Sequence, residues 1–159
     1  MTQTLVSVVM GSKSDLPEVE ETFKVLEEFG IGYEVRILSA HRTPDETIAY
    51  ARSCRERGIR IIIAAAGVAA HLAGVIAGCQ DLPVIGIPMK SGLNGLDSLL
   101  SVVQMPAGVP VATVAIGKAG CKNAAVLAAT IIGAFDEEMH QKVASYKEKM
   151  KKTVLETTI

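Results

Sequence analysis

The stretch RIIIAAAGVAAHLAGVIAG, residues 60–78, decides the fold. Its first part, Arg60–Ala66, is an almost unbroken apolar run, which is typical of a strand covered by helices on both faces. A turn of small residues follows, and Ala69–Gly78 is predicted to be helical. A buried strand that leads directly into a helix is the repeating unit of a parallel α/β sheet. We therefore expect helices to connect parallel strands along the whole chain.

The same alternation of strand and helix patterns continues on both sides of this stretch. Further strands are predicted at Leu5–Met10, Tyr33–Leu38, Leu82–Pro88 and Val111–Ile116. Further helices are predicted at Leu16–Phe29, Thr43–Arg57, about Gly95–Val103, Asn123–Ala134 and Asp136–Glu156. This order predicts one domain over residues 1–159. Its fold class is α/β: a three-layer α/β/α sandwich around a flavodoxin-like, doubly wound parallel five-stranded sheet of order 2-1-3-4-5, with an extra C-terminal helix.

The second strand and the helix after it carry clear local signals. Glu34 and Arg36 alternate with apolar residues, which indicates an edge strand rather than one covered on both faces. Thr43-Pro44-Asp45-Glu46 has the pattern of a capping box with proline at the first helical position. We therefore expect this helix to begin directly behind a rim of the sheet.

The C-terminal helix at residues 136–156 is additional to the five helices that the sheet needs. Its apolar stripe consists of Met139, Val143, Tyr146, Met150 and Val154. The stripe could pack on its own subunit or lie across a neighbouring one. We favour a neighbouring subunit, because 49% of the residues are hydrophobic and such a chain has apolar surface left for subunit contacts.

Composition and charge exclude several classes of function. The formal net charge is −1 and aromatic residues make up only 4% of the chain, which disfavours nucleic-acid binding. No apolar run reaches the ~20 residues that span a membrane. Cys54, Cys79 and Cys121 lie far apart without metal-ligand spacing. We expect a cytoplasmic protein that binds no metal, nucleic acid or membrane.

Polar residues gather after the strands, at the sheet edge where doubly wound proteins bind ligands. The four segments are Gly11–Asp15, Ser39–Thr43, Gly67–Leu72 and Met89–Gly95. His41 and His71 lie in these segments, whereas the third histidine, His140, is expected in solvent on the last helix. The connections at the opposite edge contain no comparable set, so this rim is the predicted ligand site.

Each of these residues also has a purely structural interpretation. His41 could exchange protons with a ligand near neutral pH, or simply bond to the loop backbone. Arg42 could be a solvated cation, but a cation in the first turn opposes the helix dipole and favours a bound anion there. Ser14 or Asp15 could cap a helix or contact a ligand. His71 could be a second ligand contact or the first residue of a helix.

Several motifs of cofactor chemistry are absent. The sequence has no dinucleotide-binding fingerprint, Walker A loop, paired-carboxylate motif or GxSxG motif. Asp15 would repel a phosphate, so it is better suited to accept hydrogen bonds from sugar hydroxyls. A reaction without a cofactor on a small phosphorylated substrate fits these residues.

The sequence resembles one family over residues 8–129. The matching stretches are VVMGSKSD (8–15), SAHRTPDE (39–46), AAHLAG (69–74), DSLLSVVQMPAGVPVATVAIGKAG (97–120) and NAAVLAA (123–129). They are similar to the bacterial N5-carboxyaminoimidazole ribonucleotide mutases of purine biosynthesis. The resemblance implies a flavodoxin-like homo-octamer that converts the N5-carbamate of aminoimidazole ribonucleotide into its C4-carboxylate isomer, without a metal or an organic cofactor.

The resemblance also implies roles for individual residues. His41 would be the catalytic proton shuttle. The implied substrate-binding residues are Ser12, Ser14, Asp15, Ser39, Arg42, Gly67, Ala70, His71 and Leu72. Those of the first two segments would hold the ribose 5-phosphate, and those of Gly67–Leu72 would face the imidazole and the transferred carboxyl group. Val68 and Ala73 depart from the family pattern, which has glycine and proline there. If position 68 needs a positive φ, a valine is strained there.

The hypothesis for the reaction is decarboxylation followed by recarboxylation. His41 would protonate the carbamate nitrogen and later remove the C4 proton, while Ala69-Ala70 would help to retain CO₂ beside the ring. A sister family that carboxylates aminoimidazole ribonucleotide directly is the nearest alternative, but it tends to have lysine in place of Arg42. A signalling module would need acidic residues where Met10-Gly11-Ser12 stands. A flavin carrier is disfavoured by the few aromatic residues.

Overall fold

The computed structural model describes residues 3–157. The strands are β1 Thr4–Met10, β2 Gly32–Ile37, β3 Ile61–Ala66, β4 Val84–Pro88 and β5 Ala112–Thr113. The helices are α1 Leu16–Phe29, α2 Pro44–Ser53, α3 Leu72–Cys79, α4 Leu96–Val103, α5 Lys118–Gly133 and α6 Glu137–Glu156, and a 3₁₀ turn at Lys13–Asp15 precedes α1. Within this part of the chain, no helix is both long and apolar enough to cross a membrane.

The five strands form one parallel sheet with the order β2-β1-β3-β4-β5. This order confirms the flavodoxin-like fold, and it confirms β2 as an edge strand. β3 is central: Val8 of β1 pairs with Ile63, and Ala65 pairs with Ile87 of β4. All carboxyl ends of the strands therefore point to one edge of the molecule, where the polar segments gather.

The apolar run of β3 serves two cores, one on each face of the sheet. Ile61, Ile63 and Ala65 pack with α1 and α5 on one face. Ile62 and Ala64 pack with residues of α2, α3 and α4 on the other. Every residue of the strand is buried, because successive side chains point to opposite faces and both faces are covered.

α6 packs with its first half on its own subunit. Met139 and Val143 are buried in the core formed with α1 and α5, and the Tyr146 ring lies 5.2 Å from that of Phe29, centroid to centroid. The second half has no such cover, since Met150 and Val154 are 47% and 74% exposed. The predicted contact of residues 136–156 with a neighbouring subunit stays a prediction.

The start of α5 and the length of β5 differ from the sequence predictions. α5 begins at Lys118 rather than Asn123, and β5 spans two residues rather than six. Gly120 lies inside the helix, where a Cβ would lie 1.7 Å from the Ala115 carbonyl oxygen. A close backbone contact, and not a turn, explains this glycine.

The start of α2 is only partly as predicted. Pro44 occupies the first helical position, but the Thr43 side chain makes no capping bond. Its hydroxyl instead donates to the Ser39 carbonyl (3.1 Å) and accepts from the Ser39 N–H (3.0 Å). The predicted capping box is therefore wrong, because Thr43 closes the loop that carries His41. α2 also ends at Ser53 instead of Arg57, before a turn with Gly58 at φ +91°.

Candidate active site

A cavity of about 380 Å³ opens at the carboxyl ends of β1, β2, β3 and β4. Eight of the ten predicted site residues line it: Ser12, Ser14, Asp15, Ser39, His41, Arg42, Gly67 and Leu72. The other two lie beside it. His71 contacts His41, and Ala70 is fully buried among core residues of β3 and α3. The parallel topology thus brings together residues that are far apart in the sequence.

His41 and His71 form a direct pair at this cavity. The distance between His41 Nε2 and His71 Nδ1 is 2.9 Å, and the rings meet edge to face with centroids 5.0 Å apart. A hydrogen bond between two ring nitrogens needs one protonated and one free nitrogen. Either nitrogen can be the donor, depending on the tautomer of each ring. Both side chains are exposed in the single chain.

Arg42 connects the first two loops of the rim. Its Nη2 donates to the Gly11 carbonyl at 2.9 Å, and its Nε donates to Ser39 Oγ at 3.4 Å. Among residues 3–157 it forms no ion pair with a carboxylate. Its remaining N–H donors are free for an anion, which is the arrangement that suits bidentate phosphate binding.

The Gly11–Asp15 loop presents hydroxyls beside this guanidinium. Ser12, and neither Ser14 nor Asp15, caps the 3₁₀ turn by accepting a hydrogen bond from the Ser14 N–H (3.3 Å). The Ser14 hydroxyl donates to Ser12 Oγ at 2.8 Å. Asp15 stands at the start of α1, but its side chain makes no capping bond. Its carboxyl therefore stays available to the cavity that it lines.

Burial raises the pKa of the Asp15 carboxyl, and the nearby charge of Glu18 raises it further. Oε2 of Glu18 is buried and has no hydrogen-bond partner among the described residues. The two carboxyls are three residues apart, a spacing that places them on one helix face. A donor such as a ribose hydroxyl would stabilise the Asp15 carboxylate. Glu18 was not among the predicted site residues, although its spacing from Asp15 was a usable signal.

Val68 lies in the cavity wall in a left-handed conformation, with φ +59°. For a β-branched residue this costs about 1–2 kcal/mol. The strain expected for a valine at a position that needs positive φ is therefore confirmed. Its N–H donates to Ser98 Oγ at 2.8 Å, and its carbonyl accepts from Ser101 Oγ at 3.3 Å.

Lys90 and Ser91 also line the cavity, although neither was predicted as a site residue. They belong to the fourth rim segment, so their position after β4 was the available signal. No group of three metal-ligating side chains occurs in the described part of the chain. Burial raises the pKa of all three cysteine thiols, that of Cys121 to about 11, so these thiols are poor nucleophiles.

The fold and the rim define a flavodoxin-like α/β protein with a polar cavity at the carboxyl ends of its strands. The sequence profile of the family described as AIR carboxylase matches residues 5–153. The chain belongs to this family.

Relatives and solved structures agree with this assignment. An N5-carboxyaminoimidazole ribonucleotide mutase of Thermotoga maritima is 59% identical over 152 residues, which cover 95% of this chain and 88% of the relative. The Bacillus subtilis protein of the same name is 54% identical and covers 98% of this chain and 97% of its own length. A crystal structure of Treponema denticola PurE superposes with a TM-score of 0.85 at 32% identity, covering 96% and 95% of the two chains.

Proposed function

We propose that the chain is a mutase that isomerises N5-carboxyaminoimidazole ribonucleotide to 4-carboxy-5-aminoimidazole ribonucleotide in purine biosynthesis. Relatives that carry this name share more than half of its residues over nearly the whole chain. The observation that carries the chemistry is the His41–His71 pair at a cavity that also presents the Arg42 guanidinium and serine hydroxyls. A proton-exchanging group and an anion site within one cavity are what this isomerisation needs.

The substrate phosphate binds at Arg42 and the hydroxyls of Ser12, Ser14 and Ser39. A guanidinium that has no carboxylate partner within residues 3–157 and lies beside three hydroxyls suits a phosphate dianion. Asp15 accepts hydrogen bonds from ribose hydroxyls, which offsets the burial of its charge. These contacts hold the ribonucleotide at a distance from the reacting atoms, and their binding energy orients the imidazole toward His41.

The carboxyl group moves in two steps through one molecule of CO₂. Protonated His41 gives its proton to the carbamate nitrogen, the carbon–nitrogen bond breaks, and CO₂ leaves. C4 of the ring attacks CO₂, and its carbon then carries both hydrogen and carboxylate. Neutral His41 removes that hydrogen as a proton, and aromaticity returns. The enzyme ends in its starting protonation state, and no cofactor takes part.

The turn from Gly67 to Leu72 faces the ring and the moving carboxyl group. Gly67, Val68 and Ala69 form an apolar wall on this side of the cavity, which suits retention of an uncharged gas molecule. Ala70 supports this wall from the core, and His71 orients the His41 ring.

The protein functions as a cytoplasmic homo-oligomer, and we take an octamer as the working assembly. Exposed apolar side chains support assembly, because Leu96 and Leu100 of α4 and Val154 of α6 are each about half exposed or more. The second half of α6 then lies on a neighbouring subunit. A partner would also cover the open side of the site, where His41 and His71 are exposed.

Substrate choice tests the proposal directly. The purified protein is given either the N5-carbamate, or aminoimidazole ribonucleotide with bicarbonate, and formation of the C4-carboxylate is followed. Turnover of the carbamate that does not depend on added bicarbonate is expected. Turnover that requires bicarbonate would identify the direct carboxylase instead. A carbamate labelled with ¹³C in its carboxyl group keeps the label in unlabelled bicarbonate if CO₂ stays in the cavity.

A further inference from the structure

The turn after β3 is held in its strained shape by α4. Val68 has φ +59°, a conformation that a β-branched residue rarely adopts. Two hydroxyls of α4, those of Ser98 and Ser101, bond to the N–H and the carbonyl of this one residue. Both backbone groups at the strained position are thus satisfied from a single helix. Strain of this kind persists only where neighbouring structure enforces it.

Ser98 is fixed in place by a network that reaches the cavity from a second loop. It is fully buried, and its Oγ lies 3.3 Å from that of Ser91. The Ser91 hydroxyl in turn donates to the Asp97 carboxylate. Ser91 and Val68 both line the cavity. The network therefore links the loop after β4 to the turn after β3 across the same cavity.

We propose that Ser98 is a positioning residue for the reaction, because it holds Val68 in the left-handed conformation that shapes the wall for the transferred carboxyl group. This inference rests on the proposed function. Without the Ser98 hydrogen bond, Val68 relaxes toward the extended region and the turn leaves the cavity wall. A glycine at this position adopts positive φ without a Cβ clash. Ser98 is therefore needed for turnover because residue 68 is not glycine.

A double-mutant cycle separates this role from ordinary support of the fold. It compares kcat and KM of the starting protein, Ser98→Ala, Val68→Gly and the double variant. Ser98→Ala is expected to lower kcat about 10-fold when Val68 is present, the effect of one buried hydrogen bond. With glycine at position 68 the loss is expected to be less than about 2-fold. KM changes little, since the phosphate contacts lie on other loops. Equal losses of kcat in both backgrounds would overturn the inference.

Thr22→Val is the matched control. The Thr22 hydroxyl is fully buried and donates to the Cys121 carbonyl at 2.9 Å, in the core on the opposite face of the sheet. The variant loses one buried hydrogen bond without touching the turn. It should lower Tm by the same amount whether residue 68 is valine or glycine, and its kcat should not depend on residue 68.

Two further measurements apply if Ser98→Ala does not fold or if the starting protein is inactive. If Ser98→Ala does not fold, Ser101→Ala replaces it in the cycle under the same criterion, since Ser101 is only partly buried. If the starting protein does not turn over the carbamate, the proposed function fails and Tm becomes the readout for the contact. Relaxation of Val68 then offsets part of the lost hydrogen bond. Ser98→Ala should lower Tm less with Val68 than with glycine, and equal decreases would contradict the inference.

Discussion

Replacing His41 by asparagine removes proton exchange but keeps a polar side chain at the rim. We expect kcat to fall by roughly 10²-fold or more, the lower end of what general acid–base groups contribute. KM should change little, because the proposed phosphate contacts are made by Arg42 and the serine hydroxyls rather than by His41. His140→Asn on the exposed face of α6 is the matched control. Near-normal kcat of His41→Asn in a steady-state assay would exclude the shuttle.

The Asp15 carboxyl should make the stability of the folded protein depend on pH. Its pKa is raised in the folded protein above the ordinary 3.8, first by burial and then by Glu18. Folding therefore disfavours the charged form, and the destabilisation develops as the pH rises above 3.8. Asp15→Asn should raise Tm at pH 7, and the gain should shrink as the pH falls toward 3.8. Glu20→Gln on the exposed side of α1 is the control, and a gain independent of pH would contradict this account.

Among the secondary-structure elements, the strands and their order could be predicted from the sequence because apolar periodicity reports burial directly. The apolar run at residues 60–66 predicted a strand covered on both faces, and in the structure helices bury β3 on both faces of the sheet. The predictions failed where a residue serves a distant contact. Gly120 accommodates the Ala115 carbonyl, and Thr43 bonds to Ser39. The loops at the rim could be predicted because they follow the predicted strands. The 2.9 Å contact between His41 and His71 could not, because it depends on how the loops after β2 and β3 pack against each other.

The role of Gly120 in α5 can be tested with a second helical glycine as its match. A Cβ at Gly120 would lie 1.7 Å from the Ala115 carbonyl oxygen, whereas at Gly78 in α3 nothing lies within 4 Å. Gly120→Ala should lower the free energy of unfolding by about 1–3 kcal/mol. Gly78→Ala should raise it by roughly 0.5–1 kcal/mol, because alanine restricts the unfolded chain and favours the helix. Denaturant unfolding measures both, and equal effects would show that the close contact is not decisive.

In the whole molecule, two kinds of surface are left open in the single chain. The rim site has both histidines exposed. Beside it, α4 presents Leu96, Leu100 and Val103, each about half exposed. These positions are four and three residues apart and share one helix face. An apolar face of this kind next to an open cavity is the arrangement expected of a site completed by assembly.

Charge on either apolar surface should therefore reduce both assembly and activity. Leu100→Glu on α4 and Val154→Glu on α6 each place a carboxylate where a neighbouring subunit would bury it, and an unpaired buried charge is strongly unfavourable. We expect a smaller mass by light scattering, and a lower kcat that recovers as protein concentration rises.

Lys151→Glu, on an exposed and charged part of α6, is the control for charge alone. If Val154→Glu keeps the mass of the starting protein while Leu100→Glu loses it, assembly proceeds through α4 and the predicted contact of α6 with a neighbour is wrong. If both variants keep that mass, neither surface is an interface.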